Sequence, residues 1–188
     1  YVVFDIETSN SFQDVGKNDP VLLDISVVGL YDSEANSYRA FVQEEFPEMW
    51  PIFEKADMVI GYNSDHFDLP LLNKYYLGEL THLKSLDLMK EVQKVLGRRT
   101  RLDTLAEATL GAKKSGHGLQ AIEWWAAGEI EKVKEYCLQD VKITKDLYDF
   151  AIENGGLRCI DGGVVTPVKL DTSEWNEVEG KAMSQSLF

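Results

Sequence analysis

Four carboxylates and one phenol stand where their chemistry is more useful than their solubility. Asp5 and Glu7 occur in Phe4-Asp5-Ile6-Glu7-Thr8, directly after the apolar run Tyr1-Val2-Val3-Phe4. A continuous β-branched and aromatic run reads as a buried strand. Side chains two residues apart on a strand share a face, so the two carboxylates are held close together at its end. Side by side they repel, and both ionise readily only with a cation between them. An all-oxygen donor set suits Mg²⁺ or Mn²⁺. The plainer alternative is a strand ending in a solvated acidic turn.

Two further acids extend the pattern. Gly61-Tyr62-Asn63-Ser64-Asp65-His66-Phe67-Asp68-Leu69-Pro70 follows an apolar stretch and leads into a helical one. Asp68 there is either a metal ligand or a helix N-cap ahead of Pro70. Asn63 either meets a ligand or caps the turn, and Phe67 reads as core in either case. Asp140 falls inside a long helical pattern, where aspartate is a poor helix former. Tyr136 lies one turn earlier on the same face. A carboxylate facing an apolar stripe needs a partner, since burying it alone is costly. The alternative is a surface aspartate beside a core tyrosine.

The elements that must position these groups follow from periodicity and turn residues. Residues 9–20 are polar with Gly16 and Pro20, a loop. Residues 21–31 and 37–43 read as strands joined by a short turn, an antiparallel hairpin. Residues 46–56 carry Phe46, Met49, Trp50 and Phe53 at helical spacing, and 57–62 form a fourth strand. Helices are expected over 69–77, 89–96, 102–110, 119–127 and 129–154, with a short strand over 83–88. Gly111 and Gly155-Gly156 mark helix ends. Residues 158–170 read as a hairpin around Gly162-Gly163, and 171–188 as a loosely packed tail. Strands followed by a helix-rich half predict an α/β fold with a central mixed sheet flanked by helices. The expected division is a unit over residues 1–154 with an extension over 155–188.

The chain has 188 residues, enough for one ordinary core, and a net charge of −13, which argues against a general nucleic-acid binder. The charge is uneven: residues 84–114 hold eight basic side chains against four acidic ones. That strip either seats a phosphate backbone or is a solvated helix face. Cys137 and Cys159 lack metal-site spacing and are too few for a disulfide framework, as expected in a reducing cytoplasm. No apolar run reaches the length of a membrane span. The first residue falls inside a strand and is not methionine, the expectation for a piece of a longer chain or a part of a complex.

Taken together the three acidic segments are far more specific than any one. Phe4-Asp5-Ile6-Glu7-Thr8, then Tyr62-Asn63 to Phe67-Asp68, then Tyr136-Cys137-Leu138-Gln139-Asp140 resemble, in order and context, the three motifs of the DEDD 3′–5′ exonucleases. The nearest likeness is to the proofreading domain of family-B DNA polymerases and to related stand-alone exonucleases. Leu102-Asp103-Thr104-Leu105-Ala106, ending in Leu110-Gly111-Ala112-Lys113-Lys114, is similar to the same domains. Tyr136 stands four residues before Asp140, while the position five before is Glu135 rather than histidine, so the sequence resembles the tyrosine branch. Nothing in the chain resembles a polymerase domain.

The resemblance implies an RNase H-like fold and metal-dependent hydrolysis of phosphodiester bonds at the 3′ end of single-stranded nucleic acid, releasing nucleoside 5′-monophosphates. Asp5, Glu7, Asp68 and Asp140 are implied as ligands of two Mg²⁺ or Mn²⁺ ions about 4 Å apart, with Asp5 between them. Tyr136 is implied to orient the attacking water. Ile6 and Thr8 through their backbone, with Asn63 and Phe67, are the residues expected at the terminal nucleotide. Arg98, Arg99, Arg101, Lys113 and Lys114 are candidates for the strand backbone. DNA is the favoured substrate, with an RNA-directed exonuclease and a non-catalytic nucleic-acid-binding module as alternatives. His66 and His117 read as surface residues and Asp65 as solvated. Asp87 reads as a helix cap or a support for the acids, and Trp124 and Trp125 as core or as stacking platforms.

Overall fold

A computed structural model describes residues 1–80, 83–112 and 118–175. Its centre is β1 (Val2–Thr8), whose neighbours are β2 (Ile25–Asp32), antiparallel to it, and β4 (Met58–Gly61), parallel to it. β3 (Ser37–Phe41) flanks β2 and β5 (Lys84–Asp87) flanks β4, giving a five-stranded mixed sheet of order β3-β2-β1-β4-β5. The expected α/β architecture, a mixed sheet flanked by helices, is therefore the one observed.

Strand parity decides what the sheet does. Val2, Phe4 and Ile6 face one side, where they pack with Phe46, Met49 and Phe53 of α2 (Phe46–Lys55) and Leu71 and Leu72 of α3 (Asp68–Asn73). Val3 faces the other side, against Leu105 of α5 (Leu102–Leu110) and Val141, Leu147 and Tyr148 of α7 (Ile130–Asn154). Asp5 and Glu7 continue the row of Val3. The two carboxylates thus emerge beneath α7, the helix that carries Tyr136 and Asp140. The buried stripe of α7, Val133-Cys137-Val141-Thr144-Leu147-Tyr148-Ala151, has the helical spacing that the sequence foretells.

Several details differ from the sequence reading. The polar stretch over 9–20 contains a one-turn helix, α1 (Phe12–Val15), because Ser11 and Asp14 form a reciprocal capping box. α3 is shorter than expected and starts at Asp68. α4 (Leu88–Leu96) is capped by Asp87, and α6 (Gly118–Ala126) precedes α7. The late hairpin, β6 (Gly156–Asp161) and β7 (Val164–Lys169), turns on Gly162 and Gly163, both with positive φ, as a two-residue turn of this hand requires. It joins the core: Leu157, Cys159 and Val168 pack with Leu105 and Leu147, and Thr109 Oγ1 donates to the Arg158 carbonyl at 2.9 Å. The tail is not loose where it is described. Trp175 is buried and stacks on Tyr148 with ring centres 6.0 Å apart. The rest of that expected tail, from residue 176, lies outside the described residues. No helix among the described residues is long and apolar enough to cross a membrane.

Candidate active site

β1 and α7 bring three acids to one point. A carboxylate oxygen from each of Asp5, Glu7 and Asp140 lies within 4.8 Å of the other two. Glu7 is 8% exposed, so this is no solvated acidic turn. Asp68 is not one of that trio but borders it. Its carboxylate accepts from its own amide and from that of Ile6, which ties the start of α3 to β1 between the two strand acids. Phe67, not Asp68, occupies the cap position of α3, and the Leu69 amide donates to the Ser64 carbonyl at 2.8 Å.

The electrostatics of the cluster are those of charge without a counter-ion. Burial, and then the charges of Asp140, Asp68 and Glu7, hold the Asp5 carboxyl well above the usual range. Burial and the charges of Asp140 and Asp68 do the same to Glu7. Burial raises Asp68 to about 8 against its two amide hydrogen bonds. Asp140 is raised to about 6 by burial and by Asp103. No lysine or arginine forms an ion pair with Asp5, Glu7, Asp68 or Asp140 among the described residues. Convergent hard oxygen donors whose mutual repulsion a divalent cation would relieve fit Mg²⁺ or Mn²⁺.

Tyr136 stands at the edge of the cluster. Burial and the charges of Asp140, Glu7 and Asp5 raise its phenol, so it keeps its proton at any working pH. Its ring is met edge-on by Trp124 of α6, with centres 6.0 Å apart. That contact answers the question left by the tryptophan pair: Trp124 is partly buried and props the tyrosine.

The loop after β4 is held by a carboxylate the sequence left ambiguous. Asp87 is 3% exposed and serves two purposes. Its Oδ1 accepts the amides of Asn63 at 2.8 Å and Met89 at 3.0 Å, and its Oδ2 accepts that of Asp65 at 3.3 Å. It therefore caps α4 and fixes the loop that leads to Asp68. Asn63 takes a φ of 64°, a left-handed conformation that asparagine tolerates, and its carbonyl accepts the Phe67 amide at 3.1 Å. Asp65, expected to be solvated, is paired with Lys90 at 2.6 Å. His66 is exposed, as expected.

A cavity of about 400 Å³ opens beside the acids, lined by Asp5, Asp140, Tyr62, Asn63, Arg99 and Arg101 among others. The three candidate arginines differ within it. Arg98 is paired with Asp161 at 3.3 Å and points toward the hairpin; it does not line this cavity. Arg101 is paired with Asp103 at 3.2 Å. Arg99 donates to the neutral Asn63 Oδ1, which leaves its charge uncompensated by that bond. Ile6 points its side chain into the opposite core, so only its backbone faces the acids. The Thr8 hydroxyl donates to the Asn10 carbonyl at 2.9 Å. Phe67 packs edge-on against Phe12. Lys113 and Lys114 lie outside the described residues.

Sequence reasoning missed two neighbours of the site. Asp103 raises Asp140 and Tyr136 electrostatically; it stands in a segment whose likeness was visible, but nothing in the segment marked it. The Cys137 thiol donates to the Asp5 carbonyl at 3.4 Å and lies 3.7 Å from its Oδ2, a contact that no spacing rule foretells.

Comparison with known proteins agrees with this architecture. The family model of the RNase H superfamily matches residues 2–152. The structure of the family B DNA polymerase from the hyperthermophilic archaeon Pyrobaculum calidifontis is similar at a TM-score of 0.60 and 21% identity, over 80% of this chain. The chain corresponds to 24% of that polymerase's length. A search of curated proteins finds no match. A mixed five-stranded sheet with acids on its central strand, and a family model that spans nearly the whole described fold, place this chain in the RNase H superfamily.

Proposed function

We propose that this protein is a divalent-metal-dependent 3′–5′ exonuclease that shortens single-stranded nucleic acid, DNA in preference to RNA, and releases nucleoside 5′-monophosphates. The observation that carries this reading is the convergence of Asp5, Glu7 and Asp140 within 4.8 Å, with a protonated Tyr136 beside them. The polarity of digestion and the exonuclease reading rest on the order of the three motifs and on the tyrosine four residues before Asp140.

Asp5, Glu7, Asp68 and Asp140 are the residues that would hold two Mg²⁺ or Mn²⁺ ions. Bound there, the cations supply Lewis-acid stabilisation of the charge that builds on the scissile phosphate, and a water of lowered pKa. The chain's own contribution is positioning. Tyr136 stays neutral, so it donates a hydrogen bond that orients the water instead of taking its proton. Asn63 and the backbone of Ile6 and Thr8 contact the terminal nucleotide, whose neighbour Phe67 is fixed by Phe12. Arg99, free of a carboxylate partner in its Asn63 contact, binds a phosphate of the strand. Arg101 exchanges Asp103 for a phosphate, and Arg98 lies farther along the path. A terminal nucleotide must leave a duplex to enter such a cleft, which favours single strands.

Residues 1–154 form the nuclease unit and 155–188 an extension, whose described part, as far as Trp175, packs on it. The buried free thiols Cys137 and Cys159 suit a reducing cytoplasm, and the unit operates within a longer chain or a complex. Digestion of DNA and RNA oligonucleotides of one sequence, with products resolved chromatographically, tests the reading. Nucleoside 5′-monophosphates from the first time point, faster from DNA, are expected. Internal fragments, 3′-monophosphates or binding without turnover would overturn it.

A further inference from the structure

We propose that a glycine–cysteine contact between β2 and α7 sets the spacing of the acid cluster, with Gly29 and Cys137 as positioning residues; this rests on the metal-cluster reading above. Gly29 pairs directly with Asp5 across the β1–β2 ladder. On the next layer, Cys137 lies one residue after Tyr136 and one turn before Asp140. A Cβ placed on Gly29 would stand 2.8 Å from Cys137 Sγ, 3.2 Å from Val141 Cγ2 and 3.3 Å from the Cys137 carbonyl carbon. The helix backbone therefore rests on β2 at a position that lacks a side chain.

The sulfur fills the space thus left. It is completely buried, donates to the Asp5 carbonyl at 3.4 Å, and lies 3.7 Å from Asp5 Oδ2. The same contact both seats α7 and steadies the strand acid. Restoring ordinary van der Waals separation after a Cβ is added requires a movement of roughly 0.6 Å or more. Metal sites tolerate ligand displacements of only about 0.2 Å, and catalytic groups about 0.5 Å. A methyl group at position 29 thus acts on the cluster through α7, since none of its three nearest atoms belongs to a carboxylate.

Three variants decide the matter: Gly29→Ala, Cys137→Val, and Gly29→Ala combined with Cys137→Ala. Mn²⁺ affinity is read by electron paramagnetic resonance, turnover on labelled single strands, and folding by circular dichroism. Gly29→Ala and Cys137→Val, which wedge the gap from opposite sides, are each expected to weaken Mn²⁺ binding about tenfold or more and turnover on the order of 10–100-fold. The double variant, with the sulfur gone, is expected to recover most of the Mn²⁺ affinity. Recovery is the readout that a merely destabilising substitution does not give. Unchanged Mn²⁺ affinity in either folded single variant, or a double variant no better than Gly29→Ala, would overturn the proposal. A crystal structure of the Gly29→Ala or Cys137→Val protein reads the wedge without metal. α7 displaced from the sheet by roughly 0.6 Å or more supports it, and a helix left in place overturns it. Failure of the wild type to bind Mn²⁺ would instead count against the proposed function.

Discussion

Asp140→Asn should make the metal-free protein more stable at neutral pH while removing its activity. The carboxylate is raised from 3.8 to about 6 by burial and by Asp103, so its ionised form is disfavoured in the folded state. Above the unfolded value the native protein holds a proton that the unfolded chain has released. Stability therefore falls as pH rises from about 4 to about 6, and the penalty is complete at pH 7.5. At about 1.36 kcal/mol per unit the ceiling is about 3 kcal/mol. Partial exposure of the side chain lowers this to on the order of 2 kcal/mol. Asp140 is also the largest charge acting on both Asp5 and Glu7, so its neutralisation relieves them as well. For a chain of this size 2 kcal/mol corresponds to about 4–8 °C in Tm. Calorimetry in EDTA should show the variant melting higher by that amount at pH 7.5 and equal to the wild type near pH 4. Mn²⁺ at about one hundred times its Kd should stabilise the wild type by about 2.7 kcal/mol and the variant by much less. A variant less stable at pH 7.5, or a difference that does not change with pH, would refute the repulsion on which the metal site is argued.

Other perturbations read other parts of the site. Tyr136→Phe should lower kcat on the order of 10–100-fold with KM changed little, because it removes a hydrogen bond and no charge; the wild-type rate should show no alkaline limb from this phenol below pH 10, since burial holds it above its ordinary value. Arg99→Gln should reduce the slope of log affinity against log salt by about 1 on single-stranded DNA, and Arg98→Gln by less; equal effects would place the strand elsewhere. Asp87→Ala leaves the amides of Asn63, Asp65 and Met89 without their acceptor and should cost about 2–3 kcal/mol. Thermal melts should drop accordingly, with weaker Mn²⁺ binding as the loop loosens.

The sequence is most informative where one local rule suffices. Alternation along Val3, Asp5 and Glu7 placed both acids on one face, and the stripe of α7 placed Asp140 toward the core, so the cluster followed from periods of two and 3.6. What stayed hidden needed tertiary contact. Phe67, Ser64 and Asp68 divide the start of α3 differently from a simple cap, because the Asp68 carboxylate also accepts from the Ile6 amide of β1. The basic strip could not be sorted in sequence, since whether Arg98, Arg99 or Arg101 faces the cavity depends on Asp161, Asn63 and Asp103. The tail seemed loose by composition, yet Trp175 found Tyr148, a pairing no periodicity foretells. The seat of α7 on Gly29 likewise depends on a contact between layers, which no local rule gives.

The most direct test of the central claim is digestion of a 5′-labelled single-stranded DNA oligonucleotide by the wild type in Mn²⁺, in EDTA, and by Asp5→Ala in Mn²⁺. A ladder that shortens from the 3′ end with the wild type and Mn²⁺, absent from both other reactions, is the predicted result. A ladder that survives EDTA or the loss of Asp5, or an intact oligonucleotide in all three, would contradict it.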